Sequence, residues 1–136
     1  MTKKTRIKLP DKHATIRVVA MPADTNPGGS IFGGWIMSQV DIAGSIAAIA
    51  RAKGRVATVA VNSFEFHDPV FVGDVISCYT EVVKVGRTSI TIRAEVYAQR
   101  NPSCVETVKV TEAELTYVAL DENHRPRLVP SLDDEG

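Results

Sequence analysis

The stretch NPGGSIFGGWIMSQVDIAGSIAAIARAKG, residues 26–54, changes character part-way along. Together with the preceding Ala23-Asp24-Thr25, its first residues are dense in turn formers and read as a loop. Beyond them Ile42, Ile46 and Ile49 recur at helical spacing, as do Ile36, Val40, Ala43, Ala47 and Ala50. Ser30 is the candidate N-cap, and Lys53 before Gly54 marks the C-terminal stop. Apolar residues cover most of the circumference and small residues the remainder, the pattern of a buried helix. One carboxylate, Asp41, lies within it. Its neighbours at helical spacing are Met37, Ser38, Gly44 and Ser45, none of them basic.

The segments around the helix read as strands. ATIRVVAMP (14–22) is the first, ended by Pro22. RVATVAVNSFEF (55–66) follows the helix, and the turn-rich HDPVFVGD separates it from VISCYTEVVKV (75–85). SITIRAEVYAQR (89–100) alternates strictly, with Ile90, Ile92, Ala94, Val96 and Ala98 on one face. VETVKVTEAELTYVAL (105–120) switches its inward parity from Val108 and Val110 to Leu115, Tyr117 and Ala119, which predicts a bulge near Thr111–Ala113. DENHRPRLVP and SLDDEG read as a tail. The expected fold is α+β, a curved antiparallel five-stranded sheet wrapped around one long central helix. Such a sheet covers only part of the helix. The side carrying Gly44, Ser45, Ala48 and Ala52 is expected to stay open for a second copy of the chain, in a dimer that closes over the helices.

Length and composition agree with a single domain. The chain has 136 residues, is 44% hydrophobic and 24% charged, and carries 16 basic and 16 acidic residues. Zero net charge exerts no global pull on nucleic acid or anionic membrane, so neither is an expected partner. Residues 1–13 read as a loose basic arm, 14–130 as the domain and 131–136 as an acidic disordered tail. No apolar segment follows the basic start, and the longest apolar run is interrupted by Ser38, Asp41, Ser45 and Arg51, too polar to span a bilayer. Cys78 and Cys104 do not make a disulfide framework. A cytoplasmic protein with reduced thiols is expected.

Two readings of Asp41 stand on these residues. It faces solvent or bonds Ser38 or Ser45, or it is a desolvated carboxylate used as a general base. Gly33 and Gly34 fall where the helix begins, and each costs roughly 1 kcal/mol against Ala inside a helix. They leave backbone N–H groups unshielded at the positive end of the helix dipole, which suits a developing oxyanion; tight packing under the loop is the plainer alternative. GGSIFGG lacks the lysine of a P-loop. Cys78 lies mid-strand and Cys104 follows a turn, without a nearby histidine to activate either. His13, His67 and His124 lie off the helix, and their spacing suggests no metal site.

The loop and helix DTNPGGSIFGGWIMSQVDIAG, followed by GRVATVAVNSFEF, PVFVGDVI and VKVGRTS, resembles the hotdog-fold acyl-CoA thioesterases. The nearest branch looks like the bacterial YciA-type enzymes, related to the cytosolic long-chain acyl-CoA hydrolases. The resemblance runs from about Ile16 to Pro130 and is most specific in the loop and helix. It implies a hotdog sheet around the helix, active sites at dimer interfaces and a trimer of dimers. It places the family's catalytic Asp on Asp41, its loop Asn on Asn26 and its helix-start donors around Gly33 and Gly34. Asn26 and Asp41 would come from opposite protomers. Coenzyme A contacts fall on Thr58, Val59 and Ala60 and on Arg87, Thr88 and Ser89. Arg55 and Lys84 read as solvated strand-edge charges. Ser30 departs from the family, many of whose members carry an acidic residue there. The implied reaction is hydrolysis of fatty acyl-CoA, with Asp41 as general base on water or as the nucleophile and the helix N-terminal amides polarising the thioester carbonyl, and with no cofactor, coenzyme A being part of substrate and product. The alternatives are a non-catalytic acyl-CoA sensor and a thioesterase acting on acyl carrier protein.

Overall fold

The computed structural model describes residues 7–132. Of what was read as the N-terminal arm and the acidic tail, residues 1–6 and 133–136 lie outside the described residues. The elements are β1 (Ile16–Val19), a 3-10 turn at Pro22–Asp24, α1 (Gly33–Ala52), β2 (Val56–Phe66), β3 (Val75–Val85), β4 (Ser89–Arg100) and β5 (Glu106–Ala119). All pairings are antiparallel and the strand order is β1-β3-β4-β5-β2. This is the hotdog arrangement expected from the sequence. β3 and β4 span the expected 75–85 and 89–100 residue for residue. β1 is shorter than the expected 14–22, because Ala20 turns into backbone bonds with Gly73 and Asp74, and Pro22 then opens the 3-10 turn.

The sheet curls through added residues. Register shifts place one extra residue, Val59, and another, Asn62, in β2 against β5. A further one, Val110, lies in β5 against β4, next to the expected Thr111–Ala113 and not within it. Each bulge sharpens the local twist and bends the strand toward α1. The core between sheet and helix includes Ile76, Ile90, Ile92, Val96, Leu115 and Tyr117.

Two expectations about the helix are corrected. First, Ser30 is not its N-cap. The helix starts at Gly33 behind Phe32, which makes no side-chain cap bond. Ile31 is buried, forms a bridge with Thr25 and donates its N–H to Val70 O at 2.8 Å, which keeps the chain extended past Ser30. Second, of the small residues expected on the open side, Gly44, Ala48 and Ala52 face inward and are buried against the sheet together with Ala43, while Ser45 is half-buried. Outward lie Met37, Ile42, Ile46 and Ile49, each 40–48% exposed. Small side chains are what allow the helix backbone to approach a curved sheet.

The segment after β5, read as a tail, is docked onto the fold. Leu120 bridges Pro126, and Asp121 Oδ1 accepts the N–H groups of Asn123 and Arg125. Arg127 reaches the C-terminus of α1, where Nη2 donates to Ala52 O at 2.9 Å and Nε to Leu120 O at 2.8 Å. A cation there complements the negative end of the helix dipole. Arg127→Ala should lower stability by about 2 kcal/mol, read as an earlier midpoint in urea unfolding.

Candidate active site

Asp41 lies in the third turn of α1, half-buried where the helix meets β2 and β5. Two hydroxyls converge on one of its carboxylate oxygens. Thr58 Oγ1 donates to Oδ1 at 2.7 Å, and Tyr117 Oη donates to Oδ1 and to the Asp41 backbone carbonyl, both at 3.0 Å. Neither Ser38 nor Ser45 serves Asp41; the Ser45 hydroxyl donates to Ile42 O. Among the described residues no partner reaches Oδ2, and no cation pairs with the carboxylate. Burial, then the adjoining Asp41 carboxylate, push the Tyr117 phenol well above its ordinary range. It therefore remains a proton donor at neutral pH.

Tyr117 was legible only as a core residue, on the inward side of β5 with Leu115 and Ala119. The signal available was its hydroxyl, since a buried tyrosine requires a polar partner. Thr58, read as a coenzyme A contact, spends its hydroxyl on Asp41. Gly44 is the third feature missed. A Cβ there would collide with Tyr117 Oη and lie 3.1 Å from Cζ.

The helix start keeps its donors open. Among the described residues none accepts from the N–H groups of Gly33 or Gly34. A Cβ on Gly33 would meet the Phe66 ring at 3.3 Å, whereas a Cβ on Gly34 would meet nothing within 4 Å. Packing within the chain thus explains glycine at 33 but not at 34. Asn26 anchors the loop before the helix: Nδ2 donates to Ser30 Oγ at 3.0 Å, and Oδ1 accepts the Ser30 N–H at 3.3 Å. It makes no hydrogen bond with Asp41. Ser30 therefore holds the Asn26 side chain in place.

The third group of residues clusters at the same end of the sheet as Thr58. Thr58 pairs with Tyr117, and Ser89 with Val118, so the start of β2 and the Gly86–Ser89 turn adjoin across β5. That turn is closed by Gly86 N–H donating to Ser89 O, and its Arg87 and Thr88 carbonyls accept Val129 and Ala119 N–H groups. The Arg87, Arg55 and Lys84 side chains are exposed.

Other polar groups lie apart from Asp41. Glu65 and His67 alternate with Phe66, whose ring packs on the helix start, and so point to the opposite face of the sheet. Their ligand atoms and those of Glu112 lie within 4.8 Å of one another, a grouping the linear spacing did not reveal. Lys109 already pairs there with Glu112 and Glu95. A cavity of about 700 Å³ lined by Phe71, Arg100 and Val105 lies at the far end of β4, near the Asp74–Arg100 ion pair. It lies at the opposite end of β4 from the Asp41 cluster. Cys78 is buried, which pushes its thiol up to about 12 and removes it as a nucleophile. Among the described residues no helix is long and apolar enough to cross a membrane.

A sequence model of the Thioesterase superfamily matches residues 28–105, spanning the Gly33–Gly34 turn, Asp41, Thr58 and the Arg87 turn. This chain belongs to the thioesterase superfamily. Within it, the chain is of the YciA type. It is 46% identical over 128 residues to the acyl-CoA thioester hydrolase YciA of Escherichia coli K12, an alignment covering 93% of this chain and 97% of that one. The fold superposes on a hexameric hotdog-fold thioesterase of Campylobacter jejuni with a TM-score of 0.84, at 45% identity, covering 88% of this chain and 91% of that one. A hexameric thioesterase from Yersinia pestis gives a TM-score of 0.83 at 49% identity, covering 90% and 99%.

Proposed function

We propose that this thioesterase hydrolyses fatty acyl-CoA to the free acid and coenzyme A. The observation that carries the reading is the Asp41 carboxylate, with two hydroxyls on one oxygen and none on the other, in a chain of this family. Gly34 precedes Asp41 by seven residues, two helical turns, so the two share a helix face about 10 Å apart along the axis. That separation is too long for a base acting through one water, and the Gly33 and Gly34 N–H groups point off the helix start, away from Asp41, so a thioester carbonyl accepting them would meet the Asp41 of a second protomer. Asp41 acts there as general base on water, and the backbone donors stabilise the oxyanion that forms. No cofactor is required.

The coenzyme A moiety would run along the Thr58–Ala60 start of β2 and the Arg87–Ser89 turn. Arg87 is an exposed guanidinium suited to phosphate. The site is completed by a second protomer. The apolar side chains left open on α1, Ile42, Ile46 and Ile49, and the exposed Val59 and Val61 of the edge strand β2 would supply the face for a second copy. The hexameric state of the C. jejuni and Y. pestis relatives supports a trimer of such dimers. Asn26, engaged with Ser30 and not with Asp41, suits the role of orienting water or carbonyl in the neighbouring subunit's site. Turnover of acyl-CoA pools in the cytoplasm is the setting this chemistry implies.

Asp41→Asn keeps an acceptor for Thr58 and Tyr117 and should fold, yet kcat for thiol release from acyl-CoA should fall by at least about 100-fold. Full activity in that variant would refute the assignment; binding of acyl-CoA by wild type without thiol release would favour a sensor. Wild type cleaving acyl carrier protein thioesters in preference to acyl-CoA would shift the substrate class. Gly34→Ala separates the helix start from packing. Its Cβ enters open space within the chain, so melting temperature should hold or rise, while kcat/KM drops at least tenfold as the methyl crowds the carbonyl site.

A further inference from the structure

We infer that Tyr117 is a positioning residue for this reaction: its hydroxyl, admitted by the missing side chain at Gly44, fixes the Asp41 carboxylate so that Oδ2 is the oxygen presented to the reacting water. The inference rests on the thioesterase reading of Asp41 and adds to it which atom reacts and what selects it.

The geometry begins with a fully buried ring. Tyr117 sits on β5 beneath the helix with no exposed surface, and its only polar side-chain atom must find a partner inside. It finds two atoms of the same residue, the Asp41 carbonyl oxygen and Oδ1, each at 3.0 Å. The carbonyl is part of the helix backbone and cannot move independently of it. A hydroxyl anchored on that carbonyl therefore holds the carboxylate at a set rotation relative to the main chain. Thr58 Oγ1 approaches the same Oδ1 at 2.7 Å from β2. Oδ1 is then occupied twice, and Oδ2 keeps its lone pairs for a substrate-side water. Thr58 and Tyr117 are the groups that β2 and β5 bring to the carboxylate, and neither is charged at neutral pH.

Gly44 is the independent observation. It lies three residues after Asp41, on the same helix face. Glycine in mid-helix is unfavourable, and here any Cβ would clash with Tyr117 Oη and lie within 3.2 Å of Cε2. The residue thus marks the place where the tyrosine head is admitted to the helix backbone. A tyrosine that served packing alone would need no hydroxyl at this point, and removing it leaves a Cβ at 44 only the ring carbons at 3.1 and 3.2 Å, a contact that a small shift of the ring relieves.

Tyr117→Phe and Gly44→Ala test this in the full-length protein, with thiol release from acyl-CoA followed across pH. The expected result for Tyr117→Phe is a roughly tenfold or greater fall in kcat with KM changed less than about twofold. The acid limb of kcat against pH should also move to higher pH, because a donor to the carboxylate is lost. Gly44→Ala, with the tyrosine retained but displaced, should reproduce both effects. The double variant, Tyr117→Phe with Gly44→Ala, should be no worse than either alone and regain thermal stability over Gly44→Ala. Wild-type kcat and an unmoved acid limb in folded Tyr117→Phe would overturn the proposal, as would a loss of stability alone. If Tyr117→Phe does not fold, 3-fluorotyrosine at position 117 keeps the shape and strengthens the donor. The acid limb should then shift to lower pH, and an unshifted limb overturns the proposal. An inactive Asp41→Asn beside a wild-type Tyr117→Phe would sink this inference only, whereas an active Asp41→Asn would sink the reading beneath it.

Discussion

The close contact between helix α1 and strand β5 governs the rest of this structure. Ala43, Gly44, Ala48 and Ala52 form the underside of the helix, and against that thin surface the sheet can curl until the Tyr117 ring is wholly enclosed. The bulges at Val59, Asn62 and Val110 supply the bend. A helix with larger residues on that side would stand farther from the sheet. Tyr117 would then fall short of Asp41, and the β2 edge bearing Thr58 would be carried away with it. Packing and chemistry depend on the same spacing.

Ile36 and Val40 near the helix start are buried with the small residues, whereas Ile42, Ile46 and Ile49 lie on the other side of α1 and stand exposed. Ile42, Ile46 and Ile49, with Val59 and Val61, make a larger apolar surface than scattered exposed residues would. In a family whose solved members include hexamers, that surface is most simply covered by a second copy. Asn26 is consistent with the same division. Its loop is self-supporting through Ser30, and its side chain is not spent on its own Asp41.

Much of the fold was legible because it rests on local periodicity. Strict alternation in residues 89–100 and the turns at Gly73-Asp74 and Gly86 delimit β3 and β4. Gly33 and Gly34 were recognisable at the helix start, and Asp41 stood out because an apolar helix carries few carboxylates. Less legible were features set by contacts far along the chain. Ser30 has the chemistry of an N-cap, but the Ile31–Val70 backbone bond keeps its segment extended, and that bond joins residues 39 positions apart. The direction faced by the small-residue side was misread for a related reason. Periodicity shows that a helix has two faces without showing which one the sheet takes.

By itself the sequence determined the element types, the α+β class, the place of the helix and the presence of one anomalous carboxylate, since each follows from residue types a few positions apart. Only the tertiary structure decided what meets that carboxylate. Thr58 lies 17 residues from Asp41 and Tyr117 lies 76, and no local rule relates them. They meet because the register of β2 on β5 places Thr58 opposite Tyr117, and because a glycine in the helix leaves room for a hydroxyl between them.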